Sequence, residues 1–593
     1  MARKKGGWPA WTMAPLLLAA ATCCGPSRPV ERLAFLPFEN LSGDPSLDWI
    51  SAAAPGILRI EITGALRTTP IQVQTARDAW AARATEICYG YFSRIGTNLR
   101  LEMVVQDAAR NKTVRTFSAE GAVASGIEPL LDPIAHQLDK RVRKLGTTSQ
   151  DAIEQWGLAM EATDRQTRLA AYEKAVGDDA KFGPAYVGWA QALLAGGDRE
   201  GAERVIAKGR GMGALLDDIS RAELDLMASN LNGDEKMRHG ALVALSRLTQ
   251  HDVSAVRALA EDEFQARHFS VAVDLYRKAA GLDPADPSLL NAFGYAQAFA
   301  RDLSGATSTL EKYAKQPGQQ ANGFDSLGEV NFYLGRFSDA EKYFLKAQQT
   351  NSALLGGSDL LKAAEARLMT GDRNGADALF HQYANFRLHF KDPNVKLESA
   401  RWDYLTGRRQ QALTHLESFS STATGDPASA ADSQLAIWYL QIGDATLAAS
   451  HATRAADRAS TPQMRNLAAI CRYLAAPSAS ATVPKSVEAI SLLLSKRFSE
   501  AVPVLKQLYD ATNPSFDGQV RTLYAWALIE NHQVKDAQDL IEMYPLPEFS
   551  GEPAFASLIF PRFLGLRAAV RDFQGRRDEA EACRKLYREF GGQ

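Results

Sequence analysis

The sequence predicts a mainly α protein, with a right-handed helical solenoid preceded by a small α/β unit. The solenoid is predicted by two sets of residues that recur every 34 positions, small ones at Ala272, Ala306 and Ala340 and large ones at Tyr276, Leu310 and Phe344. Two short antiparallel helices cannot bury their apolar stripes alone. The repetition therefore indicates helical pairs that stack on one another and reuse the same positions.

A period of 34 residues with small and large side chains in fixed phase is similar to the tetratricopeptide repeat (TPR) signature. The step lengthens to 36 at Ala376, Ala412 and Ala448. Glycines recur at the same spacing of 36 residues in the predicted turns, at Gly335, Gly371, Gly407 and Gly443. Each is expected to end a helix in the left-handed conformation. We therefore place a first TPR stack at residues 151–455. The resemblance implies a scaffold that holds other proteins.

The chain after residue 455 is predicted to be less regular. The repeat phase is lost between Ala456 and Pro484, where APSASATV (476–483) reads as a loop of small residues. Ala501 and Ala537 are again 36 residues apart. Residues 456–593 are therefore assigned to an irregular segment followed by C-terminal TPR-like helical repeats.

Residues 30–147 are predicted to form the α/β unit. RLAFLPF (32–38) reads as a buried strand, and apolar residues between Leu47 and Ile62 fall at helical spacing. Residues 99–106 alternate apolar and polar side chains, which is typical of a sheet with one covered face, and residues 113–118 continue the sheet. An amphipathic helix from Ile127 to Leu145 is expected to cover that face.

The decapeptide LPFENLSGDP (36–45) is similar to the opening of the TolB-like amino-terminal domains of bacteria. Gly90, expected to follow a strand, and VQDAA (105–109) extend the resemblance more loosely. Such domains commonly precede TPR arrays, often in signalling proteins. The resemblance implies a fold and a context, and it carries over no binding residues.

The first 24 residues are predicted to be an export leader. Arg3, Lys4 and Lys5 precede an apolar stretch, residues 13–21, that is too short to span a bilayer comfortably. Cys23 and Cys24 follow in a setting that resembles the bacterial lipobox, so either is a lipidation candidate. The resemblance implies an exported protein of the bacterial cell envelope, periplasmic or anchored to a membrane by an N-terminal lipid. Soluble export with cleavage after Ala21 is the alternative.

Composition and spacing argue against several functions. With 67 basic and 69 acidic residues, the chain is not expected to bind nucleic acid. The scattered cysteines Cys88, Cys471 and Cys583 are expected to be buried thiols. Three histidines are expected to occur singly on different elements: His381, His389 and His415. GRGMG (209–213) follows a predicted helix, unlike a phosphate-binding loop. The sequence therefore predicts no catalytic, metal or cofactor site.

The predicted binding surface is the concave face of the solenoid. First-helix side chains bring a polar and aromatic mixture to this groove: Arg257, Glu261, Asn291, Tyr295, Asp325, Glu329 and Tyr333. An ordinary solvated helix face is the alternative. The pattern favours a non-enzymatic exported scaffold for a protein or peptide partner.

Two other functions are compatible with parts of the sequence. In a sensory or regulatory envelope component, the TolB-like domain would bind a signal and the repeats would relay it. A carbohydrate- or peptide-processing enzyme would need acidic or nucleophilic residues that converge in a groove.

Overall fold

The computed structural model describes residues 31–64, 68–478, 482–546 and 553–592. The predicted leader, with Cys23 and Cys24, lies outside these residues. The chain divides into two compact units, one ending at Gly197 and the other beginning at Asp198. As predicted, most of the described chain is helical, and a small α/β region lies near the amino terminus. Within the described ranges, no helix has the length and apolar character needed to span a membrane.

In the described part of the first unit, strands form a six-stranded sheet. The strands are β1 (Glu31–Phe35), β2 (Glu39–Asn40), β3 (Thr68–Gln72), β4 (Glu86–Ile95), β5 (Asn98–Asp107) and β6 (Lys112–Ala122). Their order is β3-β1-β4-β5-β6, with β2 paired to β4. β1 runs parallel to β3 and β4, whereas β4, β5 and β6 are antiparallel. The alternation predicted for residues 99–106 is confirmed, because Leu99, Leu101, Met103 and Val105 are buried.

Helices α1 (Ile50–Ile62), α2 (Ala76–Ala81) and α3 (Glu128–Leu138) belong to the same α/β region. α1 contacts β3 and α3, and α3 contacts β6, so α3 packs on the sheet as expected. The helix predicted to reach Leu145 ends at Leu138. Beyond it, the backbone N–H of Arg143 donates to the carbonyl of Glu61, 2.7 Å away, so this stretch is tied to α1 instead of continuing α3.

Gly90 lies within β4, whereas the sequence placed it after a strand. A Cβ atom at this position would lie 2.2 Å from the ring of Phe38. The absent side chain therefore makes room for Phe38, which is 1% exposed. Gly90 and the decapeptide 36–45, on which the TolB-like resemblance rests, are thus in direct contact through Phe38.

Helices α4 (Gln150–Glu161), α5 (Arg165–Asp178) and α6 (Gly183–Ala195) complete the first unit. α4 packs against both α1 and α5, which joins the α/β region to helical pairs within the unit. The rings of Trp156 and Phe182 meet edge to face, with their centroids 5.5 Å apart. Cys88 in this unit and Cys471 and Cys583 in the other are buried thiols, as predicted.

The second unit begins with a long stack of helices. They are α7 (Arg199–Gly211), α8 (Asp218–Asn232), α9 (Glu235–Leu248), α10 (Val253–Gln265), α11 (Phe269–Leu282), α12 (Pro287–Phe299), α13 (Leu303–Ala314), α14 (Gln320–Tyr333), α15 (Phe337–Thr350), α16 (Ser358–Met369), α17 (Arg373–His389), α18 (Val395–Leu405), α19 (Arg409–Thr422), α20 (Gly425–Ile442) and α21 (Ala445–Arg458). From α10 to α21, each even-numbered helix pairs with the helix that follows it. The predicted helical pairs are therefore present.

The residues that define the period occupy equivalent places in these pairs. Ala272, Ala306, Ala340, Ala376, Ala412 and Ala448 are all 0% exposed and all lie on second helices. A Cβ atom on Gly328 would lie 2.4 Å from the ring of Phe344, so small and large positions meet between paired helices. The glycines expected in left-handed turns have φ values of +76° at Gly335, +89° at Gly371 and Gly407, and +84° at Gly443.

The carboxy-terminal part of the second unit departs from this regularity. Its helices are α22 (Pro462–Ala475), α23 (Lys485–Leu494), α24 (Phe498–Ala511), α25 (Gly518–Glu530), α26 (Ala556–Ile559), α27 (Arg562–Phe573) and α28 (Arg577–Glu589). α22 is a helix although the repeat phase is lost there. After α25, the second helix expected around Ala537 is replaced by turns and a short 3-10 helix, Asp539–Ile541.

This irregular stretch brings the chain back to the earlier repeats. We call residues 541–546 the return segment. The backbone N–H of Tyr544 donates to the carbonyl of Tyr333, 2.9 Å away. Arg267, in the turn between α10 and α11, pairs with Asp517 at 2.7 Å. Arg373 donates to the carbonyl of Glu589 at 2.5 Å. The carboxy-terminal helices therefore pack against the stack formed by α10 to α21.

Candidate functional site

The predicted partner-binding residues all lie on first helices of the pairs. We call the surface formed by α10, α12, α14, α16, α18 and α20 the first-helix face. At one end of it, Arg257 and Glu261 on α10 form an ion pair of 2.7 Å. Arg257 also donates to Ser288 Oγ, 2.9 Å away on α12. Asn291 Oδ1 accepts a hydrogen bond of 3.0 Å from Ser326 on α14. These polar contacts join neighbouring repeats.

The middle of the face contains a buried charge cluster, formed by Asp325, Glu329, Asp359 and Lys362. Lys362 Nζ lies 2.6 Å from Asp325 Oδ1 and 2.7 Å from Glu329 Oε1, and the Lys362 side chain is 1% exposed. The Tyr295 hydroxyl donates to Glu329. The cluster and the Tyr295 hydroxyl thus link α12, α14 and α16. The polar groups of Tyr295, Asp325 and Glu329 form hydrogen bonds and ion pairs within the protein.

Burial decides the protonation of the charge cluster. Desolvation, with Asp325 close by, raises the pKa of Asp359 to about 8, so this carboxyl group is mainly protonated at neutral pH. Desolvation also raises the pKa of Glu329. Burial alone would lower the pKa of Lys362, but Glu329 and Asp325 together raise it, so the ammonium stays charged. Acidic residues converge here, with Asp359 0% exposed and the Glu329 side chain 16% exposed.

Tyr333, the last of the predicted residues, is covered by the return segment. Beside the hydrogen bond to the Tyr333 carbonyl, the Tyr544 ring packs 5.0 Å from Phe337 and 5.4 Å from Phe563, between centroids. The Arg567 guanidinium lies 4.3 Å from the centre of the Tyr544 ring. The end of α14 and the turn that follows it, at the edge of the first-helix face, therefore already hold a length of polypeptide supplied by the chain itself.

Further along the face lies a pocket that encloses about 610 Å³ when its open mouth is counted. Its position follows the predicted phases, because Leu361 and Glu365 stand 36 residues after Asp325 and Glu329. We call it the aromatic pocket, and its walls include Leu361, Phe380, Trp402, Leu405 and Trp438. Ala556 and Ser557, from α26, form another part of the wall.

Parallel ring stacks hold the walls of the aromatic pocket. The Phe380 and Trp402 rings have centroids 4.8 Å apart and planes 4° apart. Tyr404 and Trp438 stack at 4.2 Å and 6°. The Trp402 indole N–H donates to Asp377 at 2.7 Å, which fixes the ring by its polar end. Each ring is therefore held in place before any ligand arrives.

Charged and amide side chains at the pocket also have contacts within the protein. The Tyr383 hydroxyl donates to Glu398 at 2.9 Å, and burial raises the pKa of Glu398. Arg401 Nε donates to Gln434 Oε1 at 2.7 Å. Gln434 Nε2 in turn donates to the carbonyl of Ala554 at 3.0 Å. One side of the pocket thus consists of α20 amides that contact the backbone of a crossing segment.

Sequence reasoning missed both Lys362 and the aromatic pocket. The sequence did contain a signal for the pocket. Leu361 and Glu365 follow Asp325 and Glu329 by one step of 36 residues, and Leu405 follows Tyr333 by two such steps. No such signal existed for Lys362, since a lysine on a helix ordinarily lies in solvent. Its burial follows from the carboxylates that neighbouring repeats place around it.

The other sequence features hold no assembled site. In the described ranges, no group of three or more His, Cys, Asp or Glu side chains could hold a metal ion. His381 and His389 lie on one helix, α17, rather than on different elements, and His415 lies on α19. GRGMG (209–213) ends α7 and enters a 3-10 turn, so it follows a helix as predicted.

Comparisons with known proteins give likenesses among solved structures. No family model matches the sequence, and no curated protein matches it. The C-terminal part of a TPR repeat-containing protein from Cytophaga hutchinsonii is 14% identical, with a TM-score of 0.32, covering 37% of this chain and 90% of that one. YrrB, described as a TPR protein with an unusual peptide-binding site, is 19% identical, with a TM-score of 0.25, covering 29% and 89%. A tetratricopeptide repeat protein from Parabacteroides merdae is 11% identical, with a TM-score of 0.29, covering 48% and 98%.

Proposed function

We propose that this protein is a non-enzymatic scaffold that binds a protein or peptide partner through its first-helix face. The observation that carries the proposal is the return segment, a stretch of polypeptide held at the carboxyl-terminal edge of that face by the backbone hydrogen bond between Tyr544 and Tyr333, the last residue of α14. A surface that binds its own chain in this way has the shape and the hydrogen-bonding groups to bind another.

Parts of the face beyond the return segment are available to a partner. Glu261 is exposed, and Arg257 and Asn291 are partly exposed at one end. The aromatic pocket opens further along. Tyr295, Asp325 and Glu329 support the surface from within, because their polar groups bind one another and Lys362. We therefore expect affinity to come from the two flanks of the return segment.

Photo-crosslinking tests this function in the full chain. Benzoyl-phenylalanine would replace Asn291 on the first-helix face or, as a matched control, the exposed Gln349 on α15. Each variant would be irradiated in solubilised cell envelope. We expect covalent adducts at position 291 that are absent at position 349 and disappear with excess unlabelled protein. The same adducts at both positions, or specific adducts at position 349 alone, would contradict the proposal.

The cell envelope is the compartment that the leader favours. The charged start, the apolar stretch at 13–21 and the adjacent Cys23 and Cys24 support export with an N-terminal lipid. Fatty-acid labelling of the wild type beside the double variant Cys23→Ala with Cys24→Ala tests the anchor. Label is expected on the wild type alone, and equal labelling of the two proteins would disprove lipidation.

We also assign the α/β region to a TolB-like domain. The decapeptide LPFENLSGDP (36–45) supports this assignment. So does the contact between its Phe38 and Gly90, which the resemblance named separately. A crosslinking variant in this region would show whether it has partners of its own.

A further inference from the structure

We propose that the aromatic pocket binds an aromatic side chain of the partner polypeptide, and that Trp438 Nε1 donates a hydrogen bond to an amide carbonyl of that ligand. The inference rests on the proposed scaffold function and names the chemistry that one subsite recognises. It is carried by a buried donor, by the preformed walls and by a segment of this chain that crosses beside the pocket.

The buried donor is the indole N–H of Trp438. The side chain is 1% exposed, yet Nε1 has no hydrogen-bond acceptor among the described residues. Trp402 provides a contrast, since its indole N–H is satisfied by Asp377. Both rings line the same pocket. A buried donor without an acceptor is costly, so a ligand that brings a carbonyl oxygen to Trp438 gains more than it would in water.

The walls select the shape of the ligand. Phe380 and Trp402 present flat, parallel rings, and Leu361 and Leu405 complete an apolar lining. Aromatic side chains bury a large apolar area and pack well against such rings.

The charged groups around the pocket favour a neutral ligand. Glu398 accepts from Tyr383, and Arg401 donates to Gln434, so both are already engaged by the protein. A cationic or anionic side chain would have to compete with these contacts. A neutral aromatic group with an amide carbonyl has no such competition and suits Trp438 Nε1, which lacks an acceptor among the described residues.

The segment that crosses α20 indicates how the ligand backbone is recognised. Gln434 Nε2 donates to the carbonyl of Ala554, and Gln441 Nε2 donates to Ser557 Oγ at 2.8 Å. Ala556 and Ser557 then form a wall of the pocket. Donors on α20 therefore already bind a polypeptide at this place, and Trp438 lies on the same helix and lines the pocket.

The test uses one small probe and the full chain. N-acetyl-4-fluoro-phenylalaninamide carries the aromatic ring, the amide carbonyls and a fluorine reporter. Its binding is followed by fluorine NMR and by the indole N–H signals of protein labelled with ¹⁵N-tryptophan. The chain has nine tryptophans, and the Trp438 signal is identified by its loss in Trp438→Phe. We expect saturable binding that shifts the Trp438 signal and leaves that of Trp156, in the first unit, unchanged.

Two variants separate the donor from the walls. Trp438→Phe keeps a ring against Tyr404 but removes the N–H, and we expect about tenfold weaker binding of the fluorinated probe. Leu405→Phe fills the pocket and should abolish binding even if Trp438→Phe fails to fold. N-acetylglycinamide, which lacks the ring, should not bind.

Several results would overturn the inference. They are the absence of saturable probe binding, unchanged affinity in Leu405→Phe, or equal binding of N-acetylglycinamide. Specific crosslinks at position 291 without probe binding would reject the pocket and leave the scaffold function standing. Probe binding without specific crosslinks would support the pocket and reject the scaffold function.

Discussion

Lys362 on α16 lies 2.6 Å from Asp325 on α14, in a place where the lysine side chain is 1% exposed. The pair joins two consecutive repeats through their first helices. A buried ammonium of this kind is stable only while its carboxylates remain, and they in turn depend on it. Lys362 and the two carboxylates that face it, Asp325 and Glu329, are therefore expected to be sensitive to substitution.

Lys362→Met is expected to destabilise the second unit by about 3–5 kcal/mol, because Asp325 and Glu329 would lose their buried counter-charge. Urea unfolding followed by circular dichroism measures the change. Asp359→Asn is the matched control in the same cluster. It replaces a carboxyl group that is mainly protonated in the folded protein, so it should leave stability unchanged or higher at pH 7. Equal losses in the two variants would refute this division of roles.

Glu61→Gln tests the pH dependence of the first unit. Desolvation, together with Glu128 and Asp132, raises the pKa of Glu61 from 4.5 to about 8 in the folded protein. The unfolded chain therefore loses this proton first, and stability falls as pH rises from about 4.5 to about 8, by up to about 1.4 kcal/mol per pH unit.

The substitution should remove that loss. Hydrogen exchange of α1 amides, measured by mass spectrometry, should show greater protection in Glu61→Gln than in the wild type at pH 8. At pH 5, after correction for intrinsic exchange, the two proteins should be alike. A constant difference at both pH values would mean that Glu61 is not the titrating group.

Gly90→Ala probes the contact with Phe38. The added Cβ would lie 2.2 Å from the ring, so either β4 or Phe38 must move, at a cost of about 1–3 kcal/mol. Gly177→Ala is the control within the same unit, since nothing lies within 4 Å of its Cβ position and α5 should gain stability. Thermal unfolding compares them. In the background of Phe38→Ala, Gly90→Ala should lower the stability much less than it does in the wild type. If the stability losses of the two substitutions simply add in the double variant, the contact does not account for the effect.

Tyr544→Ala is expected to loosen the return segment. The ring packs between Phe337 and Phe563, and its loss should cost about 3 kcal/mol. Amide exchange at residues 541–546 should also accelerate. Phe573→Ala removes another aromatic ring, but one that is 57% exposed, and should have little effect. If both variants unfold alike, the return segment does not stabilise the unit.

Repetition made much of the second unit predictable. Ala340 and Phe344 could be placed because each repeat buries the same positions, and the structure puts Phe344 against Gly328 as the phases require. The alternation in β5 was equally readable, since Leu101 and Met103 face a covered side of the sheet. In both cases a local pattern carries the information.

The rest depends on contacts between residues far apart in sequence. Tyr544 meets Tyr333 through a stretch of turns that follows no period, so no local pattern announces it. The resemblance to TolB-like domains placed Gly90 after a strand, whereas β4 continues through it and the absence of a side chain there makes room for Phe38. The 36-residue step could have located the first-helix residues of the aromatic pocket. It could not have shown that Ala556 and Ser557 of α26 form another part of its wall.

The ion pair between Arg267 and Asp517 joins positions 250 residues apart. Repeat arrays in which every unit touches only its neighbours can begin folding anywhere and can gain or lose units during evolution. The contact between Arg267 and Asp517 instead couples units that are far apart in sequence, and it can form only if the number of intervening units brings the two residues together. The second unit should accordingly fold slowly and melt in a single step.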